Sequence, residues 1–297
     1  MKVILTTIFI LAFLLLGTTL FAVTKSNRQA ADKLALVSAD TKALTGNVEQ
    51  GEYVAVKGGC VACHTHYADG GEAMAGGVPI DTPFGTFYTS NITSDIDSGI
   101  GGWTLQEFLG AMTVGLSPQG EHYYPAFPYT AYSTMTEQDL VDLKAWLDTV
   151  SPVETAAQAH DLNWMFSLRS TIAIWKSIYF DPMRSIKVDN TGGYLVNGPG
   201  HCAECHSPRN WLGGLSSRQL TGNDRGPGGA PVPGITSADL SDWAVEDLEF
   251  FLEVGMTVSG DFTGGHMTDV IDYGTSQLTL IDRKSIAQYL LSEENSP

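Results

Sequence analysis

The sequence contains Cys60-Val61-Ala62-Cys63-His64 and, about 140 residues later, Cys202-Ala203-Glu204-Cys205-His206. Both stretches read C-x-x-C-H, the spacing by which a c-type haem is attached to a protein. Two thiols three positions apart on one helical turn reach the two vinyl groups at one edge of a porphyrin, and the next His lies beneath the ring as the proximal iron ligand. The residues predicted to hold two haem groups are therefore Cys60, Cys63 and His64 for the first, and Cys202, Cys205 and His206 for the second.

The cysteine usage supports this interpretation. The chain has four cysteines, and the two motifs use all of them. No thiol is left for a disulfide or for a four-cysteine zinc site. The alternative is a single Cys2His2 zinc site assembled from both motifs.

The composition allows two globular domains and is acidic. A chain of 297 residues with 43% hydrophobic content is long enough for about two ordinary domains. Lys and Arg number 16 against 33 Asp and Glu, which gives a formal net charge of -17. Nucleic acids select basic surfaces, so this balance argues against nucleic acid as a partner. It favours partners with basic docking patches, or it serves solubility.

The N-terminal residues are strongly apolar. The run from Val3 to Val23 carries no charge, and about 20 such residues can span a bilayer. Residues 1–24 are therefore predicted to be a transmembrane helix that anchors the chain, or a signal peptide that is cleaved. In either case the bulk of the chain is expected in the periplasm, beyond the inner membrane, and an uncleaved helix would keep it attached to that membrane. Residues 25–48 are expected to be a tether.

The second half of the chain repeats the first. All the matching pairs lie about 140 residues apart, and a repeat of this size indicates duplicated domains rather than a solenoid. The matched positions include Tyr53 and Tyr194, Ile92-Thr93 and Ile235-Thr236, Trp103 and Trp243, Val114-Gly115 and Val254-Gly255, and Thr136 and Thr279.

The repeat predicts a mainly α-helical fold of two class I cytochrome c modules in tandem, with long loops. We expect one module over residues 49–155 and the other over 188–297. Residues 156–187 are expected to be a helical linker, since Asn163 to Phe180 is strongly apolar. Helix starts are predicted where Thr136-Glu137-Gln138-Asp139 resembles a capping box and apolar residues follow at helical spacing.

Several long stretches resemble a known group, the membrane-bound cytochrome c subunits of periplasmic dehydrogenases that act on alcohols, aldehydes, gluconate and similar substrates. The resemblance covers nearly everything after the N-terminal run. Many members carry a third haem module, so this chain is similar to the shorter dihaem members. The matching stretches are GGCVACH, TPFGTFYTSNITSD, GIGGWTLQEFLGAM, GEHYYPAFPYTAYSTMTEQDL, GGYLVNGPGHCAECHSPRNWLGG and GGHMTDVI.

The sixth iron ligand of the second module is predicted to be Met267. Class I modules usually take a Met from the loop before the last helix, and its thioether raises the potential relative to a second His. Met267 lies in Gly264-Gly265-His266-Met267, shortly before the helix that follows Thr279. The alternatives are a core Met and ligation by His266.

The sixth ligand of the first module stays open. The position most like Met267 is Phe127, where relatives often read P-A-M-P-Y, and Phe cannot ligate iron. Met135 is one candidate, although the repeat places it opposite Leu278, where an apolar residue would staple the helix start. His122 is another. Otherwise the iron is open or bound by Met112 or Met74.

Three further residues are candidates for binding the haem propionates. Trp103 and Trp243 occupy equivalent positions, and each indole N–H could donate to a propionate, although buried aromatic residues would look the same. Arg209 follows the second motif closely and could form charge-assisted bonds, although a solvated surface Arg would also fit.

These residues favour a redox relay. The resemblance implies that electrons enter from a partner dehydrogenase and leave to quinone, a small soluble cytochrome or a terminal oxidase. The alternative is a dihaem enzyme with an open first haem, either a peroxidase or a thiosulfate-oxidising cytochrome. The absence of a free thiol disfavours the latter, because such enzymes use a Cys-ligated haem.

Overall fold

The computed structural model describes residues 2–183 and 190–295, and within them the chain is mainly helical, as predicted. The longer helices are α1 (Lys2–Asp40), α2 (Val48–Lys57), α4 (Leu105–Val114), α6 (Glu137–Leu147), α7 (Ser170–Tyr179), α10 (Val245–Val254) and α12 (Leu280–Leu290). The shorter helices are α3 (Cys60–His64), α5 (Tyr129–Tyr132), α8 (Thr191–Asn197), α9 (Ala203–His206) and α11 (His266–Asp272).

Each module is built on a close crossing between its first and last long helices. In the first module α2 packs against α6, and a Cβ added at Gly51 would lie 1.9 Å from the Asp142 carbonyl oxygen. In the second module α8 packs against α12, and a Cβ at Gly192 would lie 1.9 Å from the Ser285 carbonyl oxygen. The two glycines match in the sequence repeat, so both crossings depend on a missing side chain.

The middle helix of each module begins and ends in the same way. Both α4 and α10 start with a carboxylate bonded back to the N-cap backbone N–H, and both end on a glycine in the left-handed region, Gly115 and Gly255. A narrow turn follows in each, closed by an antiparallel bridge between Leu116 and His122 in one case and between Met256 and Phe262 in the other.

The apolar core consists of two main clusters, one in each module. The first includes Val54, Phe108, Leu109, Met135 and Leu140, with Cys60 packed against it. The second includes Leu195, Val196, Leu248, Leu278 and Ile286, with Cys202 packed against it. Each attachment motif therefore lies at the edge of its own module's core.

The first module carries a small sheet, most of it in the stretch between α3 and α4. Strands β1 (Pro79–Thr82) and β2 (Gly85–Tyr88) form an antiparallel hairpin, and β3 (Asp161–Leu162) pairs with β2. The sheet order is β1-β2-β3. Chain beyond the predicted boundary at 155 therefore remains packed on the first module.

The linker helix contacts both modules. Lys176 on α7 donates to the carbonyl oxygens of Val114 and Gly115 at 2.7 and 2.6 Å, at the end of α4. On the other side, Trp175 Nε1 donates to the Leu212 carbonyl at 2.9 Å. The last residues of the predicted linker, 184–187, and the first of the predicted second module, 188–189, lie outside the described residues.

The N-terminal helix α1 runs without interruption from the predicted anchor into the predicted tether. Its last turns pack on the first module, where Val37 is 2% exposed within the core cluster and Leu34 packs against it. Lys25 Nζ lies 3.5 Å from the Ser177 carbonyl oxygen of α7. Within the residues that the structure describes, none of the helices is sufficiently long and apolar to traverse a bilayer.

Candidate haem sites

The first attachment motif forms its own helical turn. Helix α3 begins after Gly59, whose left-handed backbone (φ 59°) turns the chain sharply between α2 and Cys60. A side chain is disfavoured in that conformation, so glycine suits the position. The second motif lies at the corresponding place, on α9 and the residue before it, Cys202.

The four cysteines form no disulfide with one another. Burial raises the pKa of Cys60 and of Cys202 to about 12 in each case, and that of Cys205 to about 11. Zinc ligation and nucleophilic reactions of cysteine both need the thiolate, which an electropositive setting favours. The raised pKa values of these thiols favour the protonated form instead. Among the described residues, no cluster of three or more His, Cys, Asp or Glu side chains has a metal-binding arrangement.

Both motif histidines are oriented by a backbone carbonyl. His64 Nδ1 lies 2.7 Å from the Ser90 oxygen, and His206 Nδ1 lies 2.8 Å from the Pro233 oxygen. With the proton on Nδ1 donated to the carbonyl, Nε2 keeps its lone pair for a metal. Burial lowers the pKa of both imidazoles, which favours the neutral, ligating form.

Sequence reasoning missed these two carbonyl groups, although a signal for them exists. Ser90 and Pro233 each lie two residues before an Ile-Thr pair, Ile92-Thr93 and Ile235-Thr236, which the repeat already matches. The backbone after each oxygen is held by a further equivalent bond, since the Ile92 and Ile235 amides donate to the carbonyls of Met74 and Leu220 at 2.9 and 2.8 Å.

The matched tryptophans pack against the same core clusters as the attachment motifs. Trp103 packs against the first core cluster together with Cys60 and Val61. Trp243 packs against the second together with Cys202, and its ring meets Phe251 edge to face at 5.5 Å. Both positions are compatible with core packing and with a haem edge, so their role towards propionates stays a prediction.

Arg209 is held by groups of its own module. Its guanidinium forms an ion pair with Glu204 and donates to the Glu204 carbonyl at 3.0 Å and the Gly213 carbonyl at 2.7 Å. Glu204 in turn accepts from Thr130 Oγ1 of the first module at 2.5 Å. Arg209 therefore fixes the loop that follows the second motif, and its contact with a propionate stays a prediction.

The candidate sixth ligands occupy different environments. Met267 is half-buried on α11, while Met135 is 6% exposed in the first core cluster, with Met74, Met112 and the attachment residue Cys60. Leu278 is also 6% exposed at the equivalent position of the second cluster. The burial of Met135 is therefore what an apolar helix staple would show too.

The remaining candidate for the sixth ligand of the first haem is His122, a half-buried polar side chain. Its Nδ1 is buried and has no hydrogen-bond partner among the described residues. Burial, and secondly the charge of Lys176, lower its pKa to about 4. Phe127, at the position where a Met was expected, packs against the first core cluster.

Known proteins resemble the chain over most of its length. It is 43% identical over 256 residues to the protein named diheme cytochrome c-type of Cereibacter sphaeroides, across 83% of this chain and 86% of that one. It is 34% identical over 274 residues to the gluconate 2-dehydrogenase cytochrome c subunit of Pantoea cypripedii, across 86% of this chain and 61% of that subunit. It is 36% identical over 265 residues to the alcohol dehydrogenase (quinone) cytochrome c subunit of Gluconobacter oxydans, across 82% and 54%. The scan of protein-family models found no match.

Paired cysteines, each pair followed by a carbonyl-oriented histidine, in two repeated helical modules define a c-type cytochrome. The Cereibacter protein is matched over most of both chains, so this chain belongs to the dihaem c-type cytochromes. Its cofactors are two covalently bound haem c groups, attached at the two motifs. The resemblance drawn from the sequence is thereby confirmed.

Proposed function

We propose that the chain is the cytochrome c subunit of a periplasmic dehydrogenase complex, and that it passes electrons from the dehydrogenase to quinone, a small cytochrome or a terminal oxidase. The observation that carries the proposal is the pair of attachment motifs with matching His–carbonyl bonds, 2.7 Å at His64 and 2.8 Å at His206. Haem c supplies a reversible one-electron ferric/ferrous couple.

The names of the relatives support the choice of partner. Two of them are cytochrome c subunits of dehydrogenases for gluconate and alcohol. The chain spans 61% and 54% of their lengths, so their substrates do not carry over. We therefore assign the chain to the class of dehydrogenase subunits and leave the substrate to experiment.

The residues of the chain hold and orient the iron ligands. His64 and His206 would hold the two irons through Nε2, since each imidazole is fixed at Nδ1 by its carbonyl partner. Met267 is proposed as the sixth ligand of the second haem, and Met135 or His122 as that of the first. The outer groups Trp103, Trp243 and Arg209 are proposed to bind propionates, and no general acid or base is needed.

The N-terminal segment is proposed to hold the chain at the periplasmic face of the inner membrane. The apolar run 3–23 supports this, as do Phe13, Leu20 and Phe21, whose side chains are 66–76% exposed on α1. Mass spectrometry of the purified protein and carbonate extraction of membranes distinguish attachment from a cleaved signal. A mature protein that begins after about residue 24 and is released by carbonate would overturn the attachment.

The test of the function uses membranes from a strain that lacks the chain and from the same strain complemented with it. Alcohols, aldehydes and gluconate are supplied singly, and reduction of the haem bands is followed together with oxidase activity. We expect at least one substrate to reduce both haems and to support oxygen uptake only in complemented membranes. A His206→Ala chain should restore neither. Failure of every substrate to reduce the haems through native membranes would contradict the proposal.

A dihaem peroxidase is the second candidate, and one observation favours it. Phe127 occupies the position expected for the first Met ligand, and Phe cannot ligate iron. An open first haem would bind cyanide or peroxide rapidly. Rapid binding at one haem would place this function first, whereas inert behaviour at both would remove it.

A further inference from the structure

A tyrosine of the first module caps the last helix of the second. Tyr53 lies on α2, which leads to Cys60, yet its hydroxyl donates to Asp282 Oδ2 at 2.5 Å. The Tyr53 hydroxyl oxygen in turn accepts the backbone N–H of Thr279 at 3.0 Å. Thr279 is the N-cap of α12. Tyr53 therefore connects α2, the helix that leads to the first attachment motif, to the start of α12 in the second module.

A tyrosine of the second module makes the equivalent contact with the last helix of the first module. Tyr194 lies on α8, which leads to Cys202, and its hydroxyl donates to Asp139 Oδ2 at 2.5 Å. It accepts the backbone N–H of Thr136, the N-cap of α6, at 3.2 Å. All three residues match those of the first contact in the sequence repeat. The two contacts are thus related by the pseudo-twofold arrangement of the modules.

The helices within each module show what these tyrosines replace. At the start of α4, the Thr104 N–H donates directly to the Glu107 carboxylate at 2.8 Å, and at α10 the Ala244 N–H donates directly to Asp247 at 3.0 Å. That is the local bond of a capping box. At α6 and α12 a tyrosine hydroxyl from the other module stands between the same two groups. Capping, which needs only local residues elsewhere, here ties one module to the other.

Both tyrosine hydroxyls stay protonated at neutral pH and so keep their hydrogen bonds to the carboxylates. Burial, followed by the neighbouring carboxylates, raises the pKa of both the Tyr53 and the Tyr194 phenol, so each keeps the proton that it donates. A hydroxyl that donates to a carboxylate forms a strong, short bond. Tyr53 and Val56 also pack against the apolar cluster of the second module.

We infer that Tyr53 and Tyr194 are positioning residues that set the separation and orientation of the two haem groups, and thereby the rate of electron transfer between them. The inference rests on the proposed function. Each tyrosine lies on the helix that leads into one attachment motif and holds a helix of the other module, so a movement at either contact moves one haem relative to the other. Electron tunnelling falls exponentially with distance, which makes the rate sensitive to that movement.

The test uses the full-length holoprotein with Tyr53→Phe, Tyr194→Phe and both together. The matched control is Tyr289→Phe, since the Tyr289 hydroxyl accepts from Asn197 Nδ2 at 3.0 Å entirely within the second module. Hydrogen exchange measures how fast the backbone amides of Thr279 and Thr136 exchange with solvent. One-electron pulse reduction gives the inter-haem rate, and paramagnetic resonance gives the dipolar coupling between the two ferric haems.

We expect the Thr279 amide in Tyr53→Phe and the Thr136 amide in Tyr194→Phe to exchange about tenfold faster, as loss of a hydrogen bond to the hydroxyl predicts. The double variant should show slower inter-haem transfer and altered dipolar coupling, while Tyr289→Phe changes neither. Faster amide exchange with an unchanged rate and coupling would overturn the inference, because the tyrosines would then only cap helices.

The same data separate this inference from the proposed function. If no electrons pass between the haems of the wild type, the proposed relay fails. The dipolar coupling still decides the positioning role in that case, because it depends on haem geometry alone. An unchanged coupling in the double variant contradicts positioning, and an altered one supports it.

Discussion

The two modules share a helical frame but differ in what covers it. Val114 at the end of α4 is 1% exposed, whereas its counterpart Val254 at the end of α10 is 41% exposed. At Gly110 the helix α1 packs closely on α4, since a Cβ added there would lie 4.0 Å from the Leu34 side chain. The counterpart of Gly110 on α10, Phe250, is 42% exposed.

The turn after each of these helices shows the same contrast. His122 is half-buried beside the linker helix, and its counterpart Phe262 is 71% exposed. In the first module this face is covered by α1 and α7 of the same chain. The duplication therefore preserved the helix crossings and motif geometry, while the covered faces changed with the segments that pack on them.

The largest effect is expected where the modules are alike. Gly51→Ala places a methyl group at the position 1.9 Å from the Asp142 oxygen, and we expect it to destabilise the first module by about 3 kcal/mol. Gly192→Ala should do the same to the second. Urea unfolding followed at each haem separately measures both. A neutral result at either position would show that the crossings are not equivalent.

The two modules are also expected to differ in the sixth ligand of the haem iron. If Met267 is the sixth ligand of the second haem, as proposed, Met267→Leu should abolish the low-spin signal of that haem and lower its potential, because the thioether that favours ferrous iron is removed. Met135→Leu places the residue of the second module, Leu278, into the first. The same loss is expected at the first haem if Met135 is its ligand. Redox titration with paramagnetic resonance measures both.

Met135→Leu conserves volume, so it should cost less than about 1.5 kcal/mol of stability. A normal first-haem spectrum in this variant would remove Met135 as a ligand. His122→Phe, which installs the residue of the second module, then becomes the next test.

The covered and open faces predict a difference in stability. Val114→Ser buries a hydroxyl and removes apolar contacts, with an expected cost of about 2–3 kcal/mol. Val254→Ser at the equivalent exposed position should stay within about 0.5 kcal/mol. Denaturant midpoints of the two variants provide the comparison. Equal costs would mean that the open face of α10 is covered in solution.

The smallest effect is a pH dependence confined to the covered face. Burial lowers the pKa of Lys176 to about 7, so the unfolded chain binds more protons between about pH 7 and the ordinary lysine value. This group therefore makes the protein more stable as the pH rises through that window. Unfolding free energies from pH 6 to 10 should rise less steeply in Lys176→Met, since the group is then absent. An identical slope in both proteins would contradict the lowered pKa.

Local patterns were enough to predict much of the frame. The C-x-x-C-H motifs, the repeat and the Thr-x-x-Asp start of α6 depend on residues a few positions apart, and the structure places helices there. The dihaem cofactor content followed from the same short motifs. Which side chains complete the iron coordination stays a prediction, because Met135 would be buried either as a ligand or as a staple.

The features that sequence reasoning missed are long-range. The β1–β2 hairpin lies in a Gly-rich stretch, and its third strand, Asp161–Leu162, comes from well beyond it in the chain. The Ser90 and Pro233 oxygens are backbone groups, so residue identity says little about them. The tyrosine contacts join residues more than 50 positions apart, and no spacing rule connects a Tyr with a distant N-cap.

The reciprocal tyrosine contacts also bear on the history of the chain. Each module carries both halves of the contact, since Tyr53 accompanies Thr136 and Asp139 in one and Tyr194 accompanies Thr279 and Asp282 in the other. A surface of this kind is self-complementary and fits a second copy of itself about a twofold axis. The present interface has the form of an isologous homodimer whose two subunits have been joined into one polypeptide. Fusion of that kind frees each half to change its outer face while the shared contact stays intact.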